Sequence, residues 1–271
     1  MKFFRKIRQS LIMENKTSKY VKYAIGEIVL VVIGILIALQ VNNWNESRKE
    51  QKQIRLFAKS LVDDLYSDIA MLEISKSQAE NKYKAIDSLR HMISHAPIKE
   101  LSNTDLYIIT HDIIYRPYKW NRSNLNELKN SGGLRFITND SILKKLVAYE
   151  SFSNHLDEDF EFDKTNSLKA DDIIISVLNL NNPYFNDLRI KENEGFYDRT
   201  FNLYETEEYK QSKQNDLPLI SYDKEKLQKL TNTFILIQDN YRVRALNEMP
   251  EIIENAKELI ELLKLEYLTN D

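Results

Sequence analysis

Cysteine is absent from the 271 residues. That removes disulfides, thiolate zinc sites and cysteine nucleophiles together, and it fits either face of a bacterial inner membrane. Glycine and proline are also scarce, at five each. Gly26 and Gly34 fall in an apolar N-terminal segment, so only Gly132, Gly133 and Gly195 serve the remainder. Parallel α/β folds and small β-sandwiches need frequent Gly-rich turns. Their shortage predicts an all-α protein with long helices and few connections. No excess of positive charge exists either: the net charge is −3 and the pI near 5.9. Nucleic acid is therefore not an expected partner. No P-loop, dinucleotide fingerprint, nucleophile elbow or zincin motif occurs. The sequence accordingly reads as a non-enzyme with no catalytic residue, cofactor or metal assigned.

What stands out instead is one apolar run in a chain whose mean hydropathy is −0.48. Residues 24–41 read AIGEIVLVVIGILIALQV, interrupted only by Glu27 and Gln40. With Tyr20, Val21 and Tyr23 before it and Trp44 after it, the stretch reaches the length and aromatic flanking of a transmembrane helix. A cleaved signal peptide needs small residues at its exit, and Leu39-Gln40-Val41-Asn42-Asn43-Trp44 offers none. The expected organisation is a basic cytoplasmic or interfacial segment over 1–23, a transmembrane helix over 24–41 and an extracytoplasmic helical domain over 44–271. Lys2, Arg5, Lys6, Arg8, Lys16, Lys19 and Lys22 precede the span against the single acid Glu14. That bias favours an inner-membrane protein with a cytoplasmic N-terminus and a periplasmic domain. Phe3, Phe4, Ile7, Leu11 and Ile12 lie at helical spacing among these cations. They suit either an interfacial helix or plain topogenic charge.

Helical spacing sets Glu27, Val31, Gly34 and Ala38 on one face. Gly34 and Ala38 form a small-xxx-small pair that lets two helices approach closely. An ionisable group inside a span is expensive and functional by default, so this face is a candidate contact with a protein partner or a second copy. The alternative is that Glu27 snorkels to the headgroups.

The segment YAIGEIVLVVIGILIALQVNNWNE (residues 23–46) resembles the start of a bacterial domain-of-unknown-function family of single-span membrane proteins. The stretch NLNELKNSGGLRFITNDSILKKLVAY (residues 124–149) resembles that family's second recurring stretch. The resemblance implies an anchored helical protein and carries no activity.

Beyond the span, Ile54, Phe57, Leu61, Leu65, Leu72, Ala79, Ile86 and Ile93 recur at steps of three, four or seven, which predicts one long helix over 44–96. Short helices follow over 103–178, with Ser102 as an N-cap, Gly132 or Gly133 as a left-handed stop, and Asn139 or Asp140 capping the longest piece. Residues 179–215 are irregular, and the part around Pro183 and Gly195 admits a short strand or hairpin. Helices return over 223–268, with Pro250 kinking one or starting another. Antiparallel packing of the first and last long helices gives an elongated bundle.

Three clusters invite chemistry. Asp87, His91 and His95 share a helix face, with His111 or His155 as further metal ligands; a polar helix face explains them as well. Asp157, Glu158, Asp159, Glu161 and Asp163 form an acidic run without the glycine turn of a calcium loop, and read as a solvated face. Tyr115, Arg116, Tyr118, Trp120 and Arg122 concentrate aromatics and cations, either as a partner surface or as packing over a bundle end. The leading expectation is a protein-interaction or scaffold component. Its alternatives are a ligand-sensing domain that signals through a partner, and an enzyme whose site is assembled from dispersed carboxylates and histidines.

Overall fold

The computed structural model describes residues 17–111, 118–195, 198 and 200–269. Every regular element among them is helical, and no strand occurs there. The chain divides into two units, at residues 1–56 and 57–271.

In the first unit the described residues are helical from Thr17 onward, within α1 (Thr17–His95). From Ile25 to Trp44 its large apolar side chains are exposed, whereas Ile54 is buried. Ile25, Ile28, Leu30, Ile33, Leu36, Ile37 and Leu39 are between 48% and 64% exposed. By length and composition this helix is apolar enough to cross a membrane. Of the basic segment expected over 1–23, residues 1–16 lie outside the described residues and the rest is helical.

In the second unit the rest of α1 turns a stripe inward. Leu61, Leu65, Leu72, Ala79 and Ile86 are buried, as amphipathic spacing requires. Three long helical stretches carry the core: this part of α1, α4 (Asp140–Val177), and the C-terminal run of α7 (Lys224–Val243) and α8 (Met249–Leu263). Lys264 Nζ donates to the Tyr66 hydroxyl, and Gln238 Nε2 to the Tyr83 carbonyl. The two helices thus run in opposite senses. α4 is antiparallel to the C-terminal run by the same logic, since Asn139 reaches Glu266, Lys145 reaches Asn255 and Asp163 reaches Asn240.

The short helices are α2 (Asn103–Thr110), α3 (Ser123–Asn130), α5 (Phe185–Gly195) and α6 (Glu207–Gln214). Local chemistry sets their ends. Ser102 accepts from the Asp105 amide, and Asn139 from the Ser141 amide. Gly132 takes φ +70° after α3, a left-handed conformation that glycine adopts without a Cβ penalty.

Two regions sharpen the sequence reading. First, residues 185–195, where a strand or hairpin was admissible, are helical. The Asn182 side chain accepts from the Tyr184 amide, and Phe185 and Leu188 bury one short face. Two apolar residues three apart leave too little periodic signal to read. Second, of the two expectations for Pro250 it is the start of another helix that holds: the proline stands in the first turn of α8. A widened π-helical turn over Arg244–Glu248 leads into α8. Proline removes a backbone donor and crowds the carbonyl four residues earlier, and a wider turn relieves both.

Candidate functional site

The helical domain forms a half-open cavity of about 750 Å³. One wall is α1, through Ile74, Gln78, Asn81, Ala85 and Met92. A second is α2, through Asp105, Ile108 and Ile109. The remainder comes from Glu192, Phe201, Leu203, Tyr204, Tyr209 and Tyr241. The lining mixes aliphatic and aromatic surface with a few carboxylates and amides.

α2 is held rigidly beneath it. Its residues Asn103, Thr104, Leu106 and Thr110 are buried, so each polar group there needs a partner. Asp216 supplies several of them: Oδ1 accepts from the Thr104 amide at 2.9 Å and its hydroxyl at 2.8 Å, and Oδ2 from the Ser102 hydroxyl at 2.6 Å. Asn103 and Asn179 exchange two further hydrogen bonds. The first turn of this pinned helix presents Asp105, which accepts from the Tyr209 hydroxyl at 3.0 Å and from Lys213. Burial, and then the Asp105 charge, push the Tyr209 hydroxyl up to about 12. It therefore stays a neutral donor at any physiological pH. At the end of α2, His111 Nδ1 faces the Tyr107 carbonyl, and Nε2 lies 2.8 Å from Glu192 Oε2.

The aromatic and cationic stretch of the sequence is described from Tyr118 onward. Tyr115 and Arg116 lie outside the described residues. Tyr118 is buried. Trp120 Nε1 donates to Asp157 at 2.9 Å, and Arg122 reaches both Asp157 and Ser153 at 2.9 Å. Beside them, buried Asp68 accepts from the Tyr149 hydroxyl at 2.7 Å, the Asn121 amide at 2.9 Å and Asn121 Nδ2 at 3.1 Å. Desolvation raises the Asp68 carboxyl above its usual value in spite of those donors. Trp120 and Arg122 thus tie their loop to α4, and Asn121 ties it to α1 through Asp68.

The histidines also part company. The His91 and His95 rings stack with centroids 4.4 Å apart, while Asp87 pairs with Arg90 at 3.1 Å. His155 joins a different set, with Nε2 3.5 Å from Asp159 and 3.7 Å from Glu248. Next to it the buried Arg244 guanidinium pairs with buried Asp163. These partners are 81 residues apart, and the acidic run carried no sign of where its counter-charge would come from.

On the apolar helix, Val31 is exposed, and a Cβ placed at Gly34 would meet nothing within 4 Å. The face of Glu27, Val31, Gly34 and Ala38 is therefore open along its backbone at Gly34.

Among known proteins, a model of a family of unknown function (DUF6090) matches residues 27–109. The match takes in the apolar helix from Glu27 and ends in α2, at the cavity wall. The looser resemblance at Asn124–Tyr149 lies outside it. No curated protein and no solved structure matches the chain.

Proposed function

We propose that this chain is a single-span membrane protein whose helical domain binds a small amphipathic molecule and relays its presence through a partner. The cavity carries this reading. Its volume of about 750 Å³ falls inside the range of roughly 300–1,000 Å³ typical of ligand pockets. Its walls join aliphatic and aromatic side chains, such as Ile74, Ile108, Phe201 and Tyr209, to polar and charged ones, among them Gln78, Asn81, Asp105 and Glu192. Residues 24–41 serve as the anchor, and the basic residues before them favour a cytoplasmic N-terminus and a periplasmic domain.

The test is thermal melting of the full-length protein in detergent against a panel of amphipathic small molecules. A ligand at 100 times its dissociation constant stabilises by about 2.7 kcal/mol, a rise of roughly 5–10 °C for a domain of this size. Ala85→Trp and Ser77→Trp project bulk from half-buried positions on the α1 wall and should abolish the shift. A panel without any stabilising molecule, or a shift that survives both substitutions, sinks the proposal.

A second reading is favoured by the open helix face at Gly34. The span would pair with a second copy or a partner helix, and the domain would serve as a scaffold. Affinity purification from membranes, comparing wild type with Glu27→Leu, separates the two readings. A partner set lost on that substitution supports the scaffold.

A further inference from the structure

The C-terminal run and α4 together build a cluster that lies apart from the cavity. His155 and Asp159 are four residues apart on α4, so they project from one face across one turn. Glu248 closes the group from the end of the widened π-helical turn. One nitrogen of His155 and one oxygen each from Asp159 and Glu248 all lie within 4.8 Å of one another. Ligands held 2.0–2.2 Å from a tetrahedral ion sit about 3.3–3.5 Å apart. The separations from His155 are 3.5 Å and 3.7 Å, so a few tenths of an ångström of closure would complete those two edges.

Charge accounting points the same way. Asp159, Asp163 and Glu248 surround one guanidinium, that of Arg244, which lies 3.8 Å from Asp159 and 3.9 Å from Glu248. One positive charge against three carboxylates leaves two negative charges when His155 is neutral. A single divalent cation balances that remainder.

Glu248 is held from both sides: Oε2, shielded from solvent, lies 3.9 Å from Arg244 Nε, and Oε1 is the oxygen that faces His155. His155, by contrast, is 52% exposed at its side chain, so an ion can enter from solvent without unfolding the helices.

We infer that His155, Asp159 and Glu248 form a zinc site, with three protein ligands and remaining positions open to water. Imidazole and carboxylate are ligands that zinc accepts. The imidazole disfavours magnesium and calcium, which prefer oxygen donors alone. Arg244 and Asp163 behind it orient Glu248 and Asp159 from the buried side.

The experiment is calorimetric titration of the full-length protein in detergent, stripped with a chelator, with zinc chloride and separately with magnesium chloride. One zinc ion per chain is expected, without comparable magnesium binding. His155→Ala should weaken zinc by roughly 100-fold or more, since changes behind a ligand already cost 10–100-fold. Glu248→Gln should also weaken it. The double substitution His91→Ala/His95→Ala should leave the affinity as in wild type. His155 is exposed, so its loss does not threaten the fold, and an unchanged circular dichroism melt confirms that. Absence of zinc binding, equal binding of magnesium, or wild-type affinity in His155→Ala overturns the site. Because none of these residues lines the cavity, this outcome is separable from that of the small-molecule reading.

Discussion

Isoleucine and leucine do opposite work in the two units. In the first, Ile33 is 48% and Leu36 58% exposed; in the second, Ile86 is 1% and Leu72 0% exposed. The residue types are the same, and what differs is their arrangement. An uninterrupted apolar run leaves no polar face to meet water, so its helix needs an apolar surrounding. A stripe at helical spacing needs only other stripes. On the proposed membrane reading, the comparison separates a helix stabilised by its solvent from helices stabilised by one another.

The largest effect should come from charging the run. Ile33→Asp with Leu36→Lys places two charges mid-span, costing roughly 5–7 kcal/mol on insertion scales. The protein should then leave the carbonate-resistant membrane fraction; retention there would end the membrane reading. The same logic applied to the core calls for removing bulk instead. Phe234 is fully buried, and Phe234→Ala should destabilise by about 3–5 kcal/mol, read by denaturant unfolding, without altering membrane extraction. If either substitution produced both effects, the two units would not be independent in the way their surfaces suggest.

The smallest effect concerns polar groups that the core tolerates. Burial and the Asp68 charge raise the Tyr149 hydroxyl far above its ordinary value, so the folded chain keeps a proton that an unfolded tyrosine releases near pH 10. The unfolded state then binds fewer protons, and stability falls as pH rises above about 10. Tyr209, pushed up to about 12, adds to the fall between those two values. Tyr149→Phe should cost about 1–3 kcal/mol near neutral pH by depriving Asp68 of a donor. It should also flatten the alkaline decline in melting temperature. An unchanged alkaline slope would place the sensitivity elsewhere.

Local features were the legible ones. The Ser102 and Asn139 caps, the left-handed Gly132 and the stripe from Leu61 to Ile86 each depend on residues within a few positions of one another. The helix over 185–195 was not legible, because two buried residues make no period. The cavity was not legible for a different reason: its walls come from residues 74–109, 192–209 and 241, and no local rule links them. Arg244 lay in a periodic helix without any mark of burial. Its pairing with Asp163 exists only once α4 and the C-terminal run have packed. The aromatic stretch from Tyr118 to Arg122 admitted both packing and recognition, since the same atoms suit either; in the fold they bond to Asp157 and Ser153.

The widened turn before Pro250 also bears on tolerance to deletion. Buried positions at Ile237, Tyr241, Ala245, Met249 and Ile253 recur every four residues, and a helix of 3.6 residues per turn drifts out of phase with such a spacing. The π-helical turn over Arg244–Glu248 absorbs that drift by taking in an extra residue. It therefore holds slack of one residue, which an ordinary α-helical turn lacks. Losing a residue within it would tighten the coil to an ordinary α-helical turn and leave the flanking stripes facing their partners, whereas losing one from α7 or α8 would turn a continuous apolar stripe away from its partners.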